Sequence, residues 1–215
     1  IKALGKIGSL PLALAYQLMG PQTNCILVHQ RAEADKPQEA AELHRVQANY
    51  QPENERSAAY WRDVGTIDSY YEANMDLISV EPPFDLYNRY WPLRGYTPPV
   101  PPAKFVHDEA NRTGQAISSM VASGCIVSGA IVYQSILGFN VHVHSHSYVE
   151  KCVLMGNNDI GRGCRIRRAI IDKDVKIAPG TIIGEDPVAD KLRFHVSASG
   201  VVVIPKGAKI GFDKE

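Results

Sequence analysis

From residue 118 onward, a branched or long apolar residue recurs at a nearly fixed interval. The series is Met120, Ile126, Val132, Leu137, Val143, Val149, Leu154, Ile160, Ile166, Ile171, Ile177 and Ile183. Its steps run 6, 6, 5 throughout, so every third member lies 17 residues on, as in Met120, Leu137, Leu154 and Ile171. Two positions before each stands a mostly small residue: Ser118, Gly124, Ala130, Ser135, Val141, Ser147, Cys152, Asn158, Cys164, Ala169, Val175 and Thr181. Residues two apart on a strand share a face. Each unit therefore points one small and one large side chain inward, and three units close a triangular coil whose step of five shortens one corner. A helix of period 3.6 would not give this spacing. A β-sandwich would show turn signals every 8–12 residues or so. Twelve units predict four coils, a prism roughly 19 Å tall at a strand spacing of about 4.8 Å. Its two ends need caps, because each coil buries its edges only against neighbours. Gly129, Gly138, Gly161, Gly163, Gly180 and Gly184 fall at or near corners, where left-handed or tight backbone suits glycine.

Upstream, the pattern changes. Residues 66–80 read as a helix capped by Thr66, with Ile67, Tyr70, Tyr71, Asn74 and Ile78 close to one face. Pro82 and Pro83 stop it. Seven prolines between Glu81 and Lys104 alternate with Phe84, Tyr87, Tyr90, Trp91 and Tyr96. So many aromatics predict an extended, packed connector rather than a loose linker. After Gly184 the repeat is expected to end. Residues 185–200 read as a loop with a helical turn, and Val201 to Ile204 as a strand stopped by Pro205, Lys206 and Gly207, a tail placed to cap the prism. In residues 1–57, only 37–50 shows a helical pattern, and no Gly-rich phosphate loop or metal motif is present.

Composition narrows the function classes. The 215 residues fit one large domain or two small ones. Charged residues balance at 23 against 23, which argues against nucleic acid or a membrane surface as partner. No apolar run approaches the ~18 residues of a membrane span. Ile1 in place of an initiator Met leads us to expect a fragment. Cys25, Cys125, Cys152 and Cys164 form no C-x-x-C pair, so a structural zinc site is not expected. They read as reduced thiols of a cytoplasmic protein.

The strings YWRDVGT, ANMDL and PPAKF, followed by SSMVASGCIVSGA, IGRGCRIRRAIID and APGTIIGED, closely resemble bacterial ADP-glucose pyrophosphorylases (glucose-1-phosphate adenylyltransferases) over residues 60–210. The resemblance implies a hexapeptide-repeat, left-handed parallel β-helix of four coils in a mainly β chain, preceded by an α-helix and a Pro-rich connector. It divides the chain into residues 1–57 with no assigned match, 58–81 as the remnant of an α/β nucleotidyltransferase domain, 82–116 as connector, and 117–215 as a regulatory and oligomerising β-helix. It further implies transfer of an adenylyl group from ATP to glucose 1-phosphate, giving ADP-glucose and pyrophosphate for glycogen synthesis. Mg²⁺ would neutralise phosphate charge during in-line attack. By this likeness Asp63 is one of two metal-binding carboxylates and Trp61 lines the sugar-phosphate pocket. On local grounds alone, Asp63 reads as a turn residue before the helix. The family's GGxGxRLxPLT-like ATP loop, its catalytic Lys region and its partner Asp are absent, so this chain alone is expected not to catalyse the reaction.

Arg162, Arg165, Arg167, Arg168, Lys173 and Lys176 crowd two coils and could bind phosphate oxygens. The resemblance places phosphorylated metabolite effectors at Lys173 and Lys206, with Arg167 and Arg168 as further candidates. A solvated face neutralised by Asp172 and Asp174 is the alternative. His142, His144 and His146 alternate, as on one strand face, which raises a metal reading or the His base of a hexapeptide acyltransferase. The inward positions Val141, Val143, Ser147 and Val149 turn them outward, so an exposed or subunit-facing row is expected. The family is tetrameric, and Ile131, Val153 and Ile170 are outward apolar residues that could join subunits. A stand-alone acyltransferase and a non-catalytic effector-binding scaffold remain the competing functions.

Overall fold

The computed structural model describes residues 62–84, 86, 87, 95–108 and 112–212. The helix expected at 37–50, Trp61, Tyr90 and Trp91 lie outside them. The chain divides into two compact units, one holding residues 1–65 and 81–98, the other residues 66–80 and 99–215. The second unit is a parallel β-helix with one helix anchored to it.

Three sheets form the faces of the prism, and each strand pairs in parallel with its counterpart one coil away. The seven-stranded face contains β1 (Lys104–Asp108), β2 (Arg112–Thr113), β5 (Ile126–Ser128), β8 (His142–Val143), β11 (Asp159–Ile160), β14 (Lys176–Ile177) and β18 (Lys209–Ile210). The six-stranded face contains β4 (Met120–Val121), β7 (Ile136–Leu137), β10 (Val153–Leu154), β13 (Ala169–Ile171), β17 (Val202–Ile204) and β16 (His195–Val196). The five-stranded face contains β3 (Gln115–Ile117), β6 (Ile131–Tyr133), β9 (Tyr148–Glu150), β12 (Arg165–Arg167) and β15 (Ile182–Ile183). Antiparallel pairing covers one edge of two faces, β2 on β1 and β16 on β17, while β18, β4, β3 and β15 are terminal strands of their sheets.

From Val132 onward the inward series is as expected, and Val132, Leu137, Val143, Val149, Leu154, Ile160, Ile166, Ile171, Ile177 and Ile183 all sit in the core. The first coil departs from the 17-residue rule. Val121 pairs with Leu137 and Val127 with Val143, each sixteen residues apart, so Val121 and Val127 face inward while Met120 and Ile126 face out. Cys125 takes the inward small position expected of Gly124, which instead turns the corner at φ 79°, and Ser118 is likewise a corner residue at φ 47°.

The repeat does not end at Gly184. Ile204 pairs in register with Ile171 and Ile210 with Ile177, each 33 residues on, so a further partial coil follows after an insertion. The insertion carries α2 (Pro187–Arg193), capped by Asp186, which accepts from the Val188 and Ala189 amides. Its buried Asp190 carboxylate accepts from the Gly184 amide at 2.8 Å and pairs with Arg193 at 3.0 Å, stapling the helix to the corner it leaves.

Corners use left-handed backbone, at glycines such as Gly163 and Gly180 and also at non-glycine residues. Gln134, Lys151 and Arg168 form one left-handed column, and Asn140, Asn157 and Asp174 another, each spaced by one coil. In the second column the amide of Asn140 donates to Asn157, and that of Asn157 to Asp174, so side chains tie successive coils. Asn and Asp tolerate this conformation because a short polar side chain bonds locally. Gly138 and Gly161 do not have positive φ. Gly138 is required for close approach, since a Cβ there would lie 2.6 Å from the Met155 carbonyl oxygen.

The small inward polar residues are all bonded, as burial requires. Ser135 Oγ donates to the Tyr133 carbonyl and accepts from the Cys152 amide; Ser147 Oγ does the same between Gly161 and Cys164. Cys125, Cys152 and Cys164 are free and buried. Burial pushes the Cys152 thiol up to about 12, which suits an inert packing residue.

The helix upstream, α1 (Ile67–Leu77), is shorter than expected and ends before Pro82. Thr66 and Ser69 form a reciprocal capping box, each side chain accepting from the other's amide at 3.1 Å. Its Tyr71 hydroxyl donates to the Lys151 carbonyl at 2.7 Å, and Ser199 Oγ donates to Asp68 at 2.7 Å, anchoring α1 to the six-stranded face. Val153 and Ile170 on that face are 2% and 3% exposed, so they pack within the chain and do not offer a subunit contact. Ile131, at 39%, stays exposed on the five-stranded face with Ile117 and Ile182.

Candidate functional site

The basic stretch resolves into two separate places, at opposite ends of β13. Arg167 and Arg168 lie before it, and Lys173 follows it. Lys173 and Lys206 are neighbours across one coil, where the Gly207 amide donates to the Lys173 carbonyl at 2.9 Å. Lys206 Nζ is 3.6 Å from Asp174, and the Asp172 carboxylate accepts from the Lys173 amide at 2.6 Å. Acidic neighbours thus offset charge at this corner.

The other place is a groove of about 420 Å³ on the five-stranded side, lined by Glu150, Lys151, Arg165, Arg167, Arg168, Gly184 and Glu185. The coil repeat stacks its charges. Arg167 is the register partner of Glu150, and their side chains meet at 2.7 Å. Arg165 meets Glu185 at 2.8 Å. The Arg168 guanidinium donates to the Ser199 carbonyl at 3.0 Å, which fixes one edge of its fork. Four cations against two carboxylates leave an excess of positive charge in one concave place. A phosphate would find guanidinium donors there whose positions are already set by ion pairs. Lys151, Glu150 and Glu185 were not singled out from the sequence, although Lys151 stands one 17-residue coil before Arg168.

Asp63 is exposed, and its Oδ1 accepts from the Gly65 amide at 3.0 Å, the turn role expected on local grounds. Among the described residues, no group of three metal-ligating side chains includes it. Trp61 lies outside the described residues.

The histidines divide as well. His142 and His144 face outward on the seven-stranded face, half-buried, with ring centroids 3.8 Å apart and planes 28° from parallel. His146 leaves the row, because it is a left-handed corner at φ 64°. Nε2 of His144 lies 2.8 Å from Oδ1 of Asp159, the residue in register with His142 on the next coil. Burial, and then the neighbouring His144, hold the His142 imidazole below its usual pKa.

The comparisons bear on this geometry. Residues 101–204 match the family model described as GlmU-like, C-terminal hexapeptide. A glucose-1-phosphate adenylyltransferase of Deinococcus deserti is 52% identical over 176 residues, covering 79% of this chain and 43% of that protein. One from Deinococcus radiodurans is 51% identical, covering 80% and 43%. One from Koribacter versatilis is 46% identical, covering 79% and 41%. The chain therefore spans less than half the length of these curated relatives. Residues 60–215 are under three-quarters of the 215, so the Deinococcus matches reach upstream of Tyr60, where the motif strings begin.

Proposed function

We propose that this chain is part of a glucose-1-phosphate adenylyltransferase and contributes its effector-binding and subunit-contact β-helix. The observation that carries this is identity of about half over four-fifths of the chain with proteins of that name, joined to a hexapeptide β-helix. The whole enzyme would transfer the adenylyl group of ATP to glucose 1-phosphate, forming ADP-glucose and releasing pyrophosphate, in the cytoplasm. In this reading residues 58–81 are the end of the catalytic domain's sequence and residues 117–215 the regulatory part; of the expected connector 82–116, β1 to β3 already belong to the prism.

Asp63 and Trp61 would serve the missing half of the site. Asp63 supplies one hard, exposed oxygen donor, which fits a share in Mg²⁺ binding. Mg²⁺ is usually held by one or two carboxylates together with substrate phosphates, and Asp63 stands in no larger ligand group among the described residues. When bound, Mg²⁺ would offset phosphate charge during transfer. Trp61 would pack against the sugar phosphate. Without the ATP loop, the catalytic Lys and the second carboxylate, the chain by itself is inactive in this reading.

The regulatory role rests on the groove of Lys151, Arg165, Arg167 and Arg168, with Lys173 and Lys206 as a second basic corner. A phosphorylated sugar would exchange hydration for bidentate arginine bonds there. Exposed Ile117, Ile131 and Ile182 lie on the same five-stranded face and fit a contact between copies in a tetramer. Calorimetric titration of the full chain with a panel of phosphorylated sugars tests the effector role. One of them should bind, and with the groove as its seat Arg168→Ala should weaken it by roughly tenfold, the size of one charge-assisted bond. Binding unchanged in both Arg168→Ala and Lys173→Ala contradicts the assignment. A loss confined to Lys173→Ala would place the effector at the corner instead of the groove.

A further inference from the structure

We infer that His142, His144 and Asp159 form a site for one borderline transition-metal ion of the Zn²⁺ class. The three side chains each offer one ligand atom, and these atoms all lie within 4.8 Å of one another. The fold builds this triangle. His142 and His144 are two apart along the outer face, so their rings project to the same side. Asp159 stands directly across from His142, one coil further along the prism. Tetrahedral zinc, with bonds of about 2.0–2.1 Å, needs donor atoms about 3.3 Å apart. Modest rotation of imidazoles and carboxylate about their own side-chain bonds closes that difference, with no backbone change.

The donor set selects the ion. Two imidazoles and one carboxylate suit zinc, cobalt or nickel, whereas Mg²⁺ and Ca²⁺ prefer all-oxygen shells. The ion would take the place of the shared hydrogen in the 2.8 Å contact between His144 and Asp159. Both rings are only half-buried, so water can fill the fourth position, and the site is open rather than closed. Lys176 stands in register with Asp159 on the next coil, and a second cation on that outer face opposes the ion's charge, which points to micromolar rather than tight affinity. Because His142 lies on β8, His144 just after it and Asp159 on β11, an ion held by them joins two successive coils, and its binding raises the melting temperature of the prism. The three buried cysteines of the β-helix take no part.

The test uses the full chain, freed of any polyhistidine tag and titrated with Co²⁺ while its visible d–d absorption is followed. Zn²⁺ is then added as competitor. One equivalent should bind, be displaced by Zn²⁺ and not by millimolar Mg²⁺, and raise the melting temperature. His144→Ala and His142→Gln should each remove that equivalent, Asp159→Asn should weaken it at least tenfold, and His146→Ala should leave it intact. These residues are on the outer face, and circular dichroism confirms the fold of each variant. Cobalt bound with the same stoichiometry and affinity in His144→Ala, His142→Gln and Asp159→Asn overturns the site, as does the absence of any binding by the parent chain. Binding held at Cys25, His29 or His44 would show as the former outcome.

Discussion

Val127→Asp is expected to prevent the β-helix from folding, while Ile126→Asp, one residue away, leaves it folded with a loss near or below about 1 kcal/mol. Val127 is fully buried at 0% exposure and lies in register with Val143. A carboxylate there has neither partner nor water, a burial that costs several kcal/mol even after protonation. That is a large share of the 5–15 kcal/mol or so that holds a typical domain together. Ile126 is in register with His142 on the outer face, where a polar side chain reaches solvent. Thermal denaturation of the two variants distinguishes a first coil of sixteen residues from one of seventeen. With seventeen, Ile126 would be the inward residue and the two outcomes would exchange.

Leu154→Ala should destabilise the chain by about 2–5 kcal/mol, read as a lower midpoint in urea at an unchanged slope. Leu154 is 1% exposed and stacked between Leu137 and Ile171 in the middle of the six-stranded face. Its neighbours are fixed by strand pairing on both sides, so the cavity cannot collapse, which places the cost toward the upper part of that range. The equivalent truncation of exposed Ile182 should cost well under 1 kcal/mol, because its side chain is already largely in water.

These positions also show where the pattern of apolar residues was decisive and where it was ambiguous. From Val132 to Ile183 the period of 17 placed the core correctly, even where an outward apolar residue such as Ile136, Val153, Ile170 or Ile182 stands beside the inward one. In the first coil, Met120 stands beside Val121 and Ile126 beside Val127. Two adjacent apolar residues leave the phase of a strand open, and only the pairing with β7 and β8 decides it. The return of the repeat at Val202 was hidden by the inserted α2 and β16, which stretch the spacing from Ile171 to Ile204 to 33 residues. Left-handed corners at Gln134, Lys151 and Arg168 carry no glycine, so composition did not mark them.

The groove was half legible. Arg167 and Arg168 stood out as a basic run, but Glu150 and Lys151 are remote in sequence and adjacent only because one coil separates them. The same period places Asp159 opposite His142. In a fold of this kind, adding 17 to a residue number is the search that finds such partners. Asp63 differs: its turn bond to Gly65 is local and visible, while any metal role depends on groups that this chain does not place beside it among the described residues.

The proposed role, a regulatory and structural part of a glucose-1-phosphate adenylyltransferase that needs further residues for catalysis, is open to direct test. The direct measurement is pyrophosphate release by the purified chain from ATP and glucose 1-phosphate with Mg²⁺, with and without phosphorylated sugars. No release above the protein-free control is expected under any of these conditions. Sustained turnover that scales with chain concentration would contradict it, and would mean that residues upstream of Arg62 complete a nucleotide site.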